Sequence, residues 1–124
     1  VGSQQCALQI KQALASSVDE AWLQYTVRFG DSFDFVKGGK LPGLCGGTCP
    51  TGCKQVDGKD GWSVRLMWRT DGQIVLYLYY PGKQSPCGDD LFWHDPKSGI
   101  VQRFVPGHKH SVVIHVRMNQ PGAS

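Results

Sequence analysis

The stretch GWSVRLMWRTDGQIVLYLYYP, residues 61–81, decides the fold. Along its first half Trp62, Val64, Leu66 and Trp68 alternate with Ser63, Arg65, Met67 and Arg69. Along its second half Ile74, Leu76, Leu78 and Tyr80 alternate with Gln73, Val75, Tyr77 and Tyr79. Successive side chains of a strand point to opposite faces, so this period of two predicts a hairpin with one buried face. The turn then selects the register. A two-residue Asp71-Gly72 loop would set Trp68 opposite Val75 and Arg65 opposite Leu78, mixing the faces. A three-residue loop, Thr70-Asp71-Gly72 with Gly72 left-handed, keeps them apart. It sets Trp62 opposite Tyr80, Val64 opposite Leu78, Leu66 opposite Leu76 and Trp68 opposite Ile74. It also sets Ser63 opposite Tyr79 and Arg65 opposite Tyr77. One face is then wholly apolar. The other gathers a serine, a guanidinium and two phenols, which makes it a candidate site.

Working outward, a chain of 124 residues fits one domain spanning 1–124. Aromatic and β-branched residues are plentiful, helical periodicity is scarce, and 16 glycines punctuate the chain, which together predict an all-β sandwich or barrel. The formal charge of +3 comes without any Lys/Arg run or RNA-type aromatic motif, which argues against a nucleic-acid partner. A basic cleft for an acidic polymer is compatible with so small an excess, because local field matters more than net charge. No apolar stretch reaches the length of a membrane span, so no membrane partner is expected.

The N-terminus carries no visible secretory signal. Five cysteines in a small glycine-rich chain still point to a secreted, disulfide-bonded product whose signal has been removed. The odd count leaves one thiol free or paired outside the chain. Cys45, Cys49 and Cys53, with His94, His108 and His110 later, raise zinc as the alternative. Their even spacing is neither a ribbon nor a finger pattern, and no metal or cofactor is expected.

In chain order, Ile10, Leu14 and Val18 have helical spacing and predict a short helix around Gln9–Leu14, tied down by Cys6. Trp22–Phe29 alternates as a strand with Leu23, Tyr25, Val27 and Phe29 on one face. Phe33–Val36 is a short extended segment. Residues 37–47 are rich in glycine, yet Lys40-Leu41-Pro42 interleaves rigid and apolar residues unlike a flexible linker. Ordering so much glycine is costly, which implies close backbone approach to a ligand or a neighbouring strand. Residues 48–60 form a cysteine-bearing loop, and 81–90 a polar loop holding Cys87. Leu91–Trp93 and Ile100–Val105 are candidate short strands. Ser111–Met118 is a further strand on which His115 and Arg117 would extend the polar face of the sheet.

Taken together, FDFVKGGKLPGLCGG, WSVRLMWRTDG, LYLYYP and VRMNQPG resemble one family, the jelly-roll polysaccharide lyases. These are the alginate lyases of polysaccharide lyase family 14 and the related fungal glucuronan lyases of family 20. The similarity runs from about Trp22 to Gly122, with KGGKLPGL, SxRxMW and YxY in order. It implies an antiparallel β-sandwich of jelly-roll type, incomplete at its C-terminus, since members carry further strands after the NxPG turn. It also implies β-elimination on a 4-linked polyuronate, glucuronan or alginate, with an acidic polysaccharide as partner. By motif, Lys40, Arg65, Tyr77 and Tyr79 fall on the catalytic positions and Ser63 on a substrate-binding one. Lys37 is a second candidate for the lysine. His115 and Arg117 join the substrate-binding group through the strand pattern. The alternative reading is a lectin that keeps the fold and the basic groove without turnover. Open sheet edges would be covered by a second copy of the chain.

Overall fold

The computed structural model describes residues 8–119, and in it the hairpin forms the centre of a four-stranded antiparallel sheet. The strands are β1 (Glu20–Arg28), β2 (Gly39–Gly47), β3 (Gly61–Trp68), β4 (Ile74–Tyr79), β5 (Asp89–Phe92) and β6 (Lys109–Arg117). The large sheet runs β2-β3-β4-β5, and β1 pairs with β6 in a second, two-stranded sheet. The architecture is an all-β antiparallel sandwich.

The hairpin register is the one the three-residue loop dictates. Ser63 pairs with Tyr79, Val64 with Leu78, Arg65 with Tyr77, Leu66 with Leu76 and Trp68 with Ile74. Asp71 (φ 57°) and Gly72 (φ 76°) both take the left-handed conformation in the turn. The Arg69 N–H donates to the Gln73 carbonyl at 2.8 Å and closes it.

The apolar face of β3 and β4 packs against the inward side chains of the small sheet, Leu23, Tyr25, Val27, Val112, Ile114 and Val116. Phe29, Phe35, Val64, Leu66, Phe104 and Ile114 form the buried centre of that layer. Phe29 anchors one end, meeting the rings of Phe35 and Trp68 edge-on at 4.8 and 5.3 Å. Tyr25 adds a polar tie between the sheets by donating to the Pro42 carbonyl at 3.1 Å. Two strands cover only part of a four-stranded face. A cleft of about 850 Å³ therefore remains between the layers, lined by Trp62, Leu66, Leu76, Leu78, Val112 and Val116 among others.

One sequence expectation is met and three are corrected. The glycine-rich segment forms a strand, β2, that pairs with β3. A Cβ on Gly43 would stand 2.0 Å from the Val64 carbonyl oxygen, and one on Gly39 would stand 2.0 Å from the Trp68 ring. The glycines thus serve the close strand approach expected of them. Residues 8–14 form no helix, and Leu8, Ile10 and Leu14 are exposed. A short helix needs a packing partner to be stable, and these side chains have none. Ile100–Val105 makes only isolated bridges, Val101 to His94 and Arg103 to Gln73, because the segment turns inward where Phe104 bonds Gly72. The strand expected at Leu91–Trp93 begins earlier, at Asp89. Cys6, assigned to tie down the N-terminal arm, lies outside the described residues.

Candidate functional site

Cross-strand pairing gathers the candidate side chains on the other face of the large sheet. One row holds Lys40, Met67, Val75 and Phe92, and the next Gly43, Arg65, Tyr77 and Asp90. A third holds Cys45, Ser63 and Tyr79. Glycine at position 43 leaves room beside Arg65, since a Cβ there would lie 2.8 Å from the arginine Cγ.

The face is covered rather than open. Tyr79 is 2 % exposed, Ser63 3 % and Tyr77 9 %. Together with Val56, Met67 and Val75 the two tyrosines form a second small core. The cover consists of the cysteine-bearing loop, 48–60, and the loop after β4. Ser63 Oγ donates to the Pro50 carbonyl at 2.7 Å, and the Cys53 N–H donates to Tyr79 Oη at 3.0 Å. The Gly88 N–H donates to Tyr77 Oη at 2.8 Å. Gly88 lies close against both phenol rings, where any Cβ would clash at 2.6–2.8 Å. Disulfides join Cys45 to Cys49 and Cys53 to Cys87. The three loop cysteines are therefore paired. Among the described residues, no group of three His, Cys, Asp or Glu side chains could hold a metal ion.

Beneath the cover, Arg65 Nη2 is enclosed and has no hydrogen-bond partner. A buried charged donor without an acceptor is costly, and such a group is suited to receive an oxygen. The two phenol rings meet edge-on at 5.5 Å. Burial pushes the Tyr77 phenol above its ordinary range, and the neighbouring Tyr79 hydroxyl adds to this. The Gly88 N–H and the Arg69 charge act in the opposite direction.

Sequence reasoning assigned no role to several residues at the rim. Arg69 grips Asp90 with two N–H donors, at 2.8 and 2.7 Å, and its guanidinium carbon stands 5.3 Å from the Tyr77 ring centre. Arg69 continues the Ser63–Arg65–Met67 alternation, so its face was legible. Its acidic partner, on a short strand after a loop, was not. Lys83 stands 5.8 Å from the centre of the Tyr79 ring and donates to the Ser85 and Pro86 carbonyls. Asp89 accepts from the Gln84 N–H, the Ser85 N–H and the Tyr80 hydroxyl, which hold its carboxyl well below the usual carboxylate range.

The remaining expected site residues separate by position. Lys40 lies on the same face as Arg65 and is exposed, with its backbone opposite Met67. Lys37 is exposed just before β2. His115 and Arg117 do not extend this face. They belong to β6, in the other sheet, and alternate with inward-facing Ile114 and Val116. His115 contacts Glu20 at 2.7 Å and stacks on Trp22 at 4.5 Å.

The family described as Polysaccharide lyase 14 matches residues 2–124. The chain belongs to polysaccharide lyase family 14. Solved structures agree with this placement. The marine PL-14 alginate lyase from Aplysia kurodai superposes with a TM-score of 0.68 at 31 % identity, over 88 % of this chain and 46 % of that one. Alginate lyase Aly36B superposes with a TM-score of 0.64 at 29 % identity, over 82 % of this chain and 42 % of that one. A double mutant of Aly36B, solved with an alginate trisaccharide, gives 0.66 at 27 % identity, over 84 % and 44 %. This family 14 chain thus spans less than half the length of those lyases. Among curated proteins, none matches it.

Proposed function

We propose that this family 14 chain carries the catalytic face of a lyase that cleaves a 4-linked polyuronate, alginate or glucuronan, by β-elimination. The observation that supports this best is the pairing of Arg65 with Tyr77 and of Ser63 with Tyr79, beside an Arg65 nitrogen that has no partner. Elimination requires neutralisation of the uronate carboxylate, so that charge developing at C5 is stabilised. Arg65 and Lys40 are the cations suited to it. A base then removes the C5 proton and an acid protonates the departing C4 oxygen. Tyr77 and Tyr79 supply a coupled phenol pair for these two transfers. Ser63 and Lys37 serve as polar contacts to the sugar, and the scheme routes no step through a metal or cofactor.

The same reading extends to the setting of the protein. Two disulfides support an oxidising, extracellular location. Among the described residues no helix is long and apolar enough to cross a membrane. Among the described residues the two-stranded sheet has no further strand at either edge, and those edges are suited to pairing with a second copy. Sedimentation showing a monomer of chain mass would remove that last element.

The deciding assay follows the ultraviolet absorbance of the unsaturated uronate end during incubation with alginate and with glucuronan. A rise with either supports the lyase and names its polymer. Binding to both without any rise establishes the lectin reading instead.

A further inference from the structure

We propose that the Cys53–Cys87 disulfide is a latch that holds residues 49–59 shut over the tyrosines, and that its reduction opens the face. The inference rests on the lyase reading for its consequence but not for its test. Residues 49–59 form a flap closed at its base, where the Thr48 N–H donates to the Asp60 carbonyl at 2.7 Å. Surface loops of this length with ends this close are compact units. Above the base, the ties to the sheet are few. They are Ser63 to Pro50, Cys53 to Tyr79, and the buried side chain of Val56. To the loop after β4 they are the disulfide itself and a 3.3 Å contact from the Gln55 amide to the Pro86 carbonyl. Of these, the disulfide is the one covalent link.

The closed flap sets its own backbone where a substrate would be. The flap's Cys53 N–H occupies the Tyr79 oxygen and its Pro50 carbonyl the Ser63 hydroxyl, while Gly88, in the loop after β4, donates to the Tyr77 oxygen. A C5–H bond cannot reach a phenol oxygen that is buried under these contacts. Closure also leaves Arg65 Nη2 enclosed without an acceptor. The shut state therefore satisfies the phenols and the serine but not the arginine. Opening would release the Tyr79 oxygen and the Ser63 hydroxyl and let water or a carboxylate reach that nitrogen. Cys45–Cys49 fastens the flap's first residue to β2 beside the base, which leaves Cys53–Cys87 as the covalent tie farther along the flap.

The step is a thiol–disulfide exchange. A dithiol reductant attacks one sulfur, forming a mixed disulfide, and its second thiol resolves this. Cys53 and Cys87 gain two electrons and two protons, and the dithiol leaves as its own disulfide. The test is nitration of tyrosine by tetranitromethane, read residue by residue by mass spectrometry, with half-exposed Tyr80 as internal standard. In the oxidised protein Tyr77 and Tyr79 should react at least about tenfold more slowly than Tyr80, as a protected segment does. In the Cys53→Ser/Cys87→Ser variant, Tyr79 should approach the Tyr80 rate. Turnover on the polymer should rise by a similar factor.

Equal nitration in the two forms, whether protected or reactive, would overturn the latch. So would full turnover in the oxidised protein while the phenols stay protected. Gated nitration with no turnover in either form would keep the latch and reject the lyase. Should the double variant fail to fold, the Cys45→Ser/Cys49→Ser protein is treated with dithiothreitol under native conditions, so that Cys53–Cys87 is its target in the cover. The freed thiols are capped with iodoacetamide and the reductant removed before nitration. The same nitration ratio then decides.

Discussion

Arg69 and Asp90 meet through two parallel N–H···O contacts of 2.8 and 2.7 Å, beside the ring of Tyr77, which is the cross-strand partner of Asp90. The pair is about one-quarter to one-third exposed, at 31 % and 26 %. A bidentate guanidinium–carboxylate contact of this kind joins an edge strand, β5, to the far end of β3. Replacing Arg69 by Met should destabilise the fold by about 1–2 kcal/mol, more than a surface pair would cost, as read by urea unfolding. Arg69→Lys keeps the charge and loses the fork, and should fall between the two.

The same arginine bears on the proton chemistry. Its charge opposes the burial that raises the Tyr77 phenol. Removing it must raise that phenol further. In Arg69→Met, spectrophotometric titration should move one tyrosine to higher pH. If Tyr77 is the base, the rising limb of the pH–rate profile should move the same way. A profile that stays in place would assign the base elsewhere.

Tyr25 gives a stability prediction of known sign. Burial pushes its phenol up to about 12, above the ordinary value of 10.0. The folded state therefore holds that proton more tightly than the unfolded chain. The stability linked to Tyr25 is fully present below pH 10, and is lost as pH rises toward 12. Tyr25→Phe should lose the 3.1 Å bond to the Pro42 carbonyl at neutral pH. It should also show a shallower alkaline unfolding curve than the parent protein.

Asp89 has the opposite sign. Its carboxyl is held down by two backbone N–H groups and the Tyr80 hydroxyl. Its contribution is present above the ordinary carboxylate pKa and lost as pH falls through the lower folded value. Asp89→Asn should lower the melting temperature at neutral pH, with the deficit shrinking as the medium is acidified. It should also loosen the 81–88 loop, which shows as faster amide exchange at Gln84 and Ser85.

Much of this was readable before any coordinates. Alternation and one turn fixed the β3–β4 register, because slipping it by a residue would have put Arg65 against Leu78. Motif order brought Lys40, Arg65, Tyr77 and Tyr79 to one face. What stayed hidden depended on long-range pairing. No strand could be assigned to residues 37–47 because glycine lacks side chains to show a period, although those absences are what let β2 lie against β3. The alternation of β6 gave His115 and Arg117 a face but could not say of which sheet. The cover over Ser63 and Tyr79 depends on Cys53 finding Cys87, and five cysteines do not specify their partners.

Two glycine substitutions separate close approach from mere loop flexibility. At Gly43 an added Cβ would stand 2.0 Å from the Val64 carbonyl oxygen and 2.6 Å from the Arg65 Cα, both backbone atoms that cannot rotate away. Gly43→Ala must therefore push β2 off β3 or widen the irregularity already present between Lys40 and Gly43. A cost of about 1–3 kcal/mol is expected, with Arg65 displaced as β2 moves. At Gly30 an added Cβ meets nothing within 4 Å, and the backbone is not left-handed. Gly30→Ala should be neutral or gain up to about 1 kcal/mol by restricting the unfolded chain. Urea midpoints of the two variants give the comparison. Equal midpoints would mean that β2 does not lie flush on β3 in solution, and that Arg65 owes its position to something other than the glycine beside it.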